Sequence, residues 1–244
     1  MDTEERAPLA ALARRRAARV WSFRMRAEHD ATLRFSRLAE RLSGSGAHGA
    51  VVTMARSAAV DERRHTDLCG DLVAHLGGAP PELPSAPPRE VAPSGLTARE
   101  RVLYEVVALS CITETLSTAL LGAIEEASTD SLVTHTAHFI LRDEVQHSRL
   151  GWAHLAAEKG RGAGPTIAEY LPAMLQGTVN DELFADGEEG PEAAALSGLG
   201  ALQRAERLSV FSETLRSVVF PGLETLGVDP AAGRAWLADR LRAP

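Results

Sequence analysis

Apolar residues along this chain recur at every third or fourth position, which is the period of one face of an α-helix. Alternating runs rich in valine, isoleucine and aromatic residues, which are typical of β-strands, do not occur in the sequence. The pattern therefore predicts an all-α protein.

Four long helices are predicted in the first two thirds of the chain, at about 8–43, 50–76, 97–126 and 131–159. The third of them begins at Thr97, which is followed by Glu100 in the spacing of a capping box. Three further helices are predicted at about 166–180, 202–219 and 231–241. The acidic segment ADGEEGPEAA, at 185–194, is predicted to be a mobile loop.

The segment between the second and third helices contains six prolines from Pro80 to Pro93, so it is neither a helix nor a central strand. Some twenty residues of extended, polyproline-like chain reach roughly 60 Å. That reach exceeds the length of a bundle helix, roughly 45 Å. The segment is therefore predicted to be a long crossover that returns along the bundle and joins two antiparallel helix pairs.

Each long helix carries ionisable side chains in the middle of its apolar stripe. The first and third helices contribute one glutamate each, and the second and fourth each contribute a Glu-x-x-His pair whose members share a face. The six side chains are Glu28, Glu62, His65, Glu114, Glu144 and His147. Glu105 is excluded because its spacing from Glu114 places it on the opposite side of the helix. His154 is predicted to be a core or pocket histidine.

The glutamates also lie at matching depths in the bundle. Glu28 and Glu62 are each 17 residues from a turn near residue 45, and Glu114 and Glu144 are each 15 residues from a turn near residue 129. These separations correspond to roughly 25 Å and roughly 22 Å along the helices. The members of each antiparallel pair are therefore level, which accidental surface pairs would not explain.

Four buried carboxylates and two imidazoles without cations would be very unfavourable, since each desolvated charge costs several kcal/mol unless it is paired. Two divalent or trivalent metal ions would neutralise them. An oxygen-rich set with one imidazole per metal suits iron or manganese, whereas structural zinc favours thiolates. A bundle whose metal site is vestigial is the alternative.

These residues resemble the ferritin-like di-iron carboxylate superfamily, in which four helices carry Glu, Glu-x-x-His, Glu and Glu-x-x-His. The resemblance covers about residues 10–160. It implies a ferritin-like four-helix bundle with a long crossover, to which the helices predicted from the sequence pattern after residue 165 add a C-terminal extension. Residues 1–244 would form one ferritin-like domain, with a di-iron core at about 8–160 and a C-terminal helical extension at about 165–244. The six side chains would bind two iron ions, with manganese or a mixed manganese and iron centre as alternatives.

The segments DERRH and DEVQH, at 61–65 and 143–147, are similar to Asp-Glu-x-x-His segments of bacterial multicomponent monooxygenase hydroxylases. In those proteins the aspartate supports a ligand histidine. Asp61 and Asp143 are therefore candidates to accept the second N–H of each ligating imidazole, and two solvent-facing charges are the alternative. Arylamine N-oxygenases of the superfamily carry an additional histidine one turn before the last glutamate, where this chain has Ile140.

The resemblance implies an O2-activating non-haem di-iron oxygenase or oxidase that hydroxylates, N-oxygenates or desaturates a small organic substrate. Iron storage or ferroxidase activity is the alternative, because the fold alone does not choose a function. A radical-generating subunit is disfavoured because Tyr104 lies ten residues before Glu114. Electrons would come from an external donor such as a ferredoxin or a reductase, since the sequence has no flavin or nicotinamide fingerprint.

Composition narrows the expected partners. The net charge of −7 gives no electrostatic footprint for nucleic acid. The Arg-rich stretch ARRRAARVWSFRMR, at 13–26, is interpreted as the solvated face of the first helix, with docking of an acidic redox partner as the alternative.

No apolar run is expected to span a bilayer and no signal peptide is recognised, so we expect a cytoplasmic protein without a membrane partner. Cys69 and Cys111 are predicted to be core thiols, and a homodimer is compatible with these features.

Overall fold

The computed structural model describes residues 3–86, 88–178 and 191–242. The regular secondary structure of these residues is helical throughout, so the predicted all-α class is confirmed. The four long helices are α1 (Thr3–Gly44), α2 (Gly49–His75), α3 (Ala98–Ala127) and α4 (Ser131–Glu158). The later helices are α5 (Ala163–Thr178), α6 (Pro191–Ser197), α7 (204–225) and α8 (Ala231–Arg242).

Local capping explains where the helices of the second pair begin. Thr97 and Glu100 form the predicted capping box at the start of α3. At the start of α4, a side-chain oxygen of Asp130 accepts from the backbone N–H groups of Leu132 and Val133, at 3.0 and 3.3 Å. Each cap satisfies backbone donors that the helix itself leaves unpaired.

Helices α1 to α4 pack as a four-helix bundle, with α1 against α2, α3 against α4, and α2 against α4. The predicted apolar stripes form the interior, whose largest fully buried side chains include Trp21, Phe35, Leu72, Leu121 and Ile140. Burying each such side chain stabilises the fold by about 1.5–3 kcal/mol. Both cysteines are buried free thiols, as predicted.

The proline-rich segment at 76–97 runs beside α1 along most of the bundle. It leaves α2 where Arg14 donates to the carbonyl oxygen of His75. Near its far end, Glu90 accepts a hydrogen bond from Arg41 at 2.9 Å. Arg14 and Arg41 are separated by 27 residues of α1, which is roughly 40 Å. The predicted long crossover is therefore confirmed.

The C-terminal helices pack against the bundle. A single hydrophobic cluster joins α3 to helices α5, α7 and α8, and its members include Leu103, Leu171, Phe211, Leu215 and Leu237. The shared cluster gives the extension an apolar contact surface on α3. That the extension at about 165–244 does not fold as an independent domain stays a prediction.

The acidic segment at 185–194 was predicted to be a loop. Residues 185–190 lie outside the described residues, whereas 191–194 form the first part of helix α6, so that part of the prediction is wrong. The turn after α6 is fastened to the bundle, because Trp21 Nε1 donates to the carbonyl oxygen of Leu199 at 3.0 Å. This contact brings the C-terminal extension to α1.

Helix α3 is long and apolar enough to cross a membrane by length and composition alone, contrary to the expectation that no run would reach that length. However, 56% of its most apolar stretch is buried inside the protein. Glu114, on the same helix, is also buried. The apolar residues of α3 thus serve as bundle core, and the expected cytoplasmic location stays a prediction.

Within α3 the stretch Val107–Glu114 is π-helical, a feature that the sequence analysis did not predict. The same stretch lies very close to α4. A Cβ atom at Gly151 would lie 2.6 Å from Ser110 Cβ and 2.8 Å from Cys111 Sγ. Glycine at this position therefore allows the two helices to approach one turn after His147.

We predict that Gly151→Ala destabilises the protein, by about 1–3 kcal/mol, because the added methyl group overpacks the contact between α3 and α4. Gly122→Ala is the matched control, since a Cβ atom there meets nothing within 4 Å. The control should be neutral or stabilising by about 0.5–1 kcal/mol. Chemical denaturation of both variants measures the difference, and equal effects would show that the close approach is not a constraint.

Candidate metal centre

The six predicted side chains converge at the centre of the bundle. They form two overlapping groups, and in each group one oxygen or nitrogen atom per residue lies within 4.8 Å of those of the others. One group consists of Glu28, Glu62, His65 and Glu144, and the other of Glu62, Glu114, Glu144 and His147. Glu62 and Glu144 belong to both groups, which is the arrangement expected of carboxylates placed between two ions.

All six side chains are removed from solvent, with relative exposures of 0–5%. Each helix presents its residues inward because they occupy the apolar stripe, flanked along the chain by buried side chains such as Phe35, Cys69 and Ile140. The interior position follows from the helical period, and the level alignment follows from the equal distances to the turns.

The two imidazole rings point the same way relative to the carboxylates. His147 Nδ1 lies 3.0 Å from Glu62 Oε1 and 3.1 Å from Glu144 Oε2. His65 Nδ1 lies 3.4 Å from Glu62 Oε2 and 3.8 Å from Glu28 Oε2. Both Nδ1 atoms therefore face the cluster, and both Nε2 atoms face away from it.

The two Nε2 atoms meet the aspartates that the sequence singled out, in a crossed arrangement. His65 Nε2 on α2 lies 3.2 Å from Asp143 on α4, and His147 Nε2 on α4 lies 3.4 Å from Asp61 on α2. Arg64 bridges the aspartates, donating to Asp61 at 3.0 Å and to Asp143 at 2.5 Å. An Nε2–H bond to a carboxylate fixes the tautomer that leaves Nδ1 available to a metal.

Burial and crowding oppose ionisation of two carboxylates in the cluster. Burial raises the pKa of Glu62 to about 8, and the nearby charges of Glu144 and Glu28 act in the same direction. Burial also raises the pKa of Glu114 well above its usual range, reinforced by Glu144. These acids therefore favour their protonated forms near neutral pH when no cation is present.

The pKa values of the two histidines are also raised, but by their neighbours and against the effect of burial. Burial lowers the pKa of His65, but interactions with Glu28 and Glu62 outweigh it and raise the pKa to about 10. Burial likewise lowers the pKa of His147, and its contacts with Asp61 and Glu144 raise it far above its usual range. In the absence of a metal, protons on the imidazoles supply the positive charge that the carboxylates require.

The donor set fits a metal pair better than a set of internal hydrogen bonds. Oε1 of Glu62 is fully buried and has no hydrogen-bond partner, although it lies 3.0 Å from His147 Nδ1. The proximity lacks hydrogen-bond geometry, so this oxygen is unsatisfied, which is costly in a buried position. A cation between Glu62 and His147 would satisfy both atoms.

A half-buried arginine contacts the cluster from one side. Arg24 Nη1 donates to Glu28 Oε1 at 3.1 Å and to Ser117 Oγ at 3.4 Å. Ser117 Oγ lies 3.5 Å from Glu144 Oε1. Burial acts to raise the pKa of Glu28, but His65 and then Arg24 outweigh it and lower the pKa to about 2. Arg24 thus holds one oxygen of Glu28 and leaves the other facing His65, and the sequence analysis gave it no role.

A cleft of about 450 Å³ between α1, α3 and the C-terminal extension reaches the cluster. Glu28, Glu114 and Glu144 line its inner end. Most of its wall is apolar and includes Val20, Trp21, Leu116, Leu120, Ile124, Leu196, Leu202 and Phe211. The volume lies in the range of small-molecule sites. Residues 196–211 supply part of the wall, a role for the C-terminal extension that the sequence did not indicate.

Other ionisable residues stay outside the cluster, as the helical spacing predicts. Glu105 is buried but forms an ion pair with Arg41 at the crossover. His154 is buried and belongs to neither of the two groups.

Comparison with known proteins gives a fold-level match. No protein-family model matches the chain, and no curated protein matches it. Among solved structures, the chain is similar to a Synechococcus protein described as "Protein 19 with aldehyde deformylating oxidase activity". The two are 19% identical with a TM-score of 0.63, over 95% of this chain and 99% of that chain.

This likeness confirms the predicted ferritin-like helical fold. The carboxylate and histidine cluster is compatible with a di-iron site of the kind that the resemblance implies. That the six residues bind metal remains a prediction.

We predict that anaerobic loading with ferrous iron gives about two ions per chain, one for each overlapping group. Glu114→Ala and His147→Ala should lose most of the bound metal, because each removes a ligand from a buried site. His154→Gln is the control, since it lies on the same face of α4 but outside the cluster. Elemental analysis that finds no iron, or no loss in the two alanine variants, would refute the assignment.

Metal binding should release protons, because the raised pKa values leave Glu62, Glu114, His65 and His147 protonated in the metal-free protein. We expect on the order of two to four protons per chain on loading with manganous ion at pH 7, and an affinity that rises with pH. A pH-stat titration measures the release. Binding without proton release would contradict this account of the charges.

Proposed function

We propose that this protein is an O2-activating non-haem di-iron oxidase or oxygenase that acts on a small organic substrate. The observation that carries the proposal is the apolar cleft whose inner end is lined by Glu28, Glu114 and Glu144. A storage site needs a path for ions, whereas an apolar cleft of this size suits an organic molecule. The Synechococcus protein of the same fold has a described oxidase activity, which supports the same kind of chemistry.

The donor set favours iron, with manganese or a mixed centre as alternatives. Two iron ions would supply the activation of O2, and the protein residues would hold and orient them. Glu28 and His65 belong to one group, Glu114 and His147 belong to the other, and Glu62 and Glu144 are shared.

The surrounding residues would fix the ligands in position. Asp143 and Asp61 would hold the Nε2–H protons of the two imidazoles and so keep both Nδ1 atoms directed at the metals. Arg24 would hold Glu28 through Oε1 and limit that carboxylate to one free oxygen. The side chains of Leu116 and Leu120 would exclude water from the substrate near the cluster.

The proposed chemistry requires two substrates and a source of electrons. O2 and an organic molecule would be the substrates, and an external ferredoxin or reductase would supply electrons. Hydroxylation, N-oxygenation and desaturation all fit a two-electron oxidation at such a centre. A homodimer and a cytoplasmic location stay predictions.

We predict that the ferrous-loaded protein consumes O2 and retains about two iron ions per chain throughout. An oxygen electrode and elemental analysis after desalting measure the two quantities. A large excess of ferrous ion distinguishes the alternative, because a storage protein would consume the added iron and retain a mineral. Retention of hundreds of ions per assembly would replace the oxygenase proposal with ferroxidase or storage activity.

Leu120→Trp would test the role of the cleft. The larger side chain should fill part of the cleft and slow substrate oxidation, while the bound metal stays at the wild-type level because Leu120 is not one of the six cluster residues. Unchanged turnover of every substrate by this variant would show that the cleft does not hold the substrate.

A further inference from the structure

The cleft has an unusual charge distribution for this chain. Among the residues that the structure describes, four arginines line it, namely Arg16, Arg19, Arg24 and Arg207. The carboxylates in the described part of its lining are Glu28, Glu114 and Glu144, all of which belong to the candidate metal cluster. The chain as a whole carries a net charge of −7, so a concentration of cations here does not follow from its composition.

This arrangement adds to the interpretation of the Arg-rich stretch at 13–26. Arg15, Arg19 and Arg26 are exposed, as expected of a solvated helix face, and Arg16, Arg19 and Arg24 also line the cleft. Arg19 lies on the opposite side of the α1 axis from Glu28, and its exposed side chain lines the outer part of the cleft. Arg19 and Glu28 are nine residues apart, roughly 14 Å along the helix.

The arginines divide into an inner and an outer set. Arg24 is the inner one, and it already donates to Glu28 and Ser117. Arg16 and Arg19 lie farther along α1, and Arg16 pairs with Glu192 at 3.0 Å.

Arg207 belongs with the outer set. It reaches the cleft from α7 and donates to the carbonyl oxygen of Leu202. Leu202 packs in the same hydrophobic cluster as Trp21 and Ile124. Three arginines therefore line the outer end of the cleft, whereas the wall between this end and the six-residue cluster is largely apolar.

We propose that the substrate is an organic anion with an apolar body, whose charged group lies at the outer arginines and whose apolar end reaches the metal cluster. This inference rests on the proposed function and specifies its substrate class. Guanidinium groups bind carboxylates through charge-assisted, often bidentate hydrogen bonds. An apolar pocket with a few placed charged groups gives both affinity and orientation.

The orientation has a chemical consequence. Holding the anionic group at Arg19 and Arg207 keeps it away from the metals, so the oxidised position lies at the opposite end of the molecule. Bound metal ions would neutralise Glu28, Glu114 and Glu144 at that end, so these carboxylates would not repel the ligand in the loaded protein.

The test measures binding of sodium decanoate and of 1-decanol to the metal-loaded protein by isothermal titration calorimetry without O2. The two probes share an apolar chain and differ in charge. We expect decanoate to bind at least tenfold more tightly, with a preference that weakens as salt is added. Equal affinities, or no binding of decanoate, would overturn the proposal.

Arginine variants test where the carboxylate of decanoate binds. Arg19→Gln and the double variant Arg19→Gln with Arg207→Gln should reduce the preference for decanoate and leave the affinity for 1-decanol nearly unchanged. Arg15→Gln is the matched control, since it is an exposed arginine on the same helix that does not line the cleft. A preference that survives in the double variant, with the fold verified by circular dichroism, would also overturn the proposal.

The outcome is separable from that of the proposed function. Binding in the absence of O2 does not depend on redox chemistry, so loss of the anion preference alongside intact O2 consumption would reject only the substrate class. A clear anion preference in a protein that consumes no O2 would reject the oxidase proposal instead.

Discussion

The structure depends on one electrostatic constraint, the crowding of four glutamates in the interior of a helix bundle. They form two overlapping groups, and in each group the ligand atoms of three carboxylates and one imidazole lie within 4.8 Å of one another. Each uncompensated charge in such a place costs several kcal/mol. Protons can relieve part of the repulsion, and Glu62 Oε1 has no hydrogen-bond partner among the described residues. Two metal ions would satisfy the whole set, and Asp61, Asp143 and Arg24 surround it with the contacts that such ions require.

Much of this site could be predicted from the sequence because it depends on regular geometry. A helix with 3.6 residues per turn places Glu62 and His65 on one face, and equal distances from a turn make Glu28 and Glu62 level. The crossover could be predicted too, since prolines exclude helix and its length matches the bundle. The six side chains that converge in the structure are the six that this reasoning selected.

The features that were missed depend on tertiary contacts that leave no periodic signal. The π-helical stretch in α3 is not marked by any single residue, although Gly151 on the facing helix makes the close contact there. The crossed pairing of Asp61 with His147 requires knowledge of which helices are adjacent. Nothing in the sequence distinguishes Arg24 from the other arginines of the stretch at 13–26. Helix α6 begins within an acidic segment whose composition is typical of loops, so it was not predicted.

The C-terminal extension supplies part of the cleft beside the four-helix bundle. Four-helix bundles of this class host many activities, so the fold by itself does not define the chemistry. In this chain the extension forms one wall of the cleft through Leu196, Leu202 and Phe211, and it contributes Arg207 to the arginines that line the outer end. The bundle thus supplies the candidate metal centre, and the extension contributes to the space in which a substrate would lie.

The central claim is that six side chains bind two metal ions that share Glu62 and Glu144. A crystal of the iron-loaded protein, with anomalous diffraction recorded at the iron absorption edge, tests it most directly. The account predicts two iron peaks about 3.5–4 Å apart, one beside His65 Nδ1 and one beside His147 Nδ1. A single peak, or iron bound only away from these residues, would contradict it.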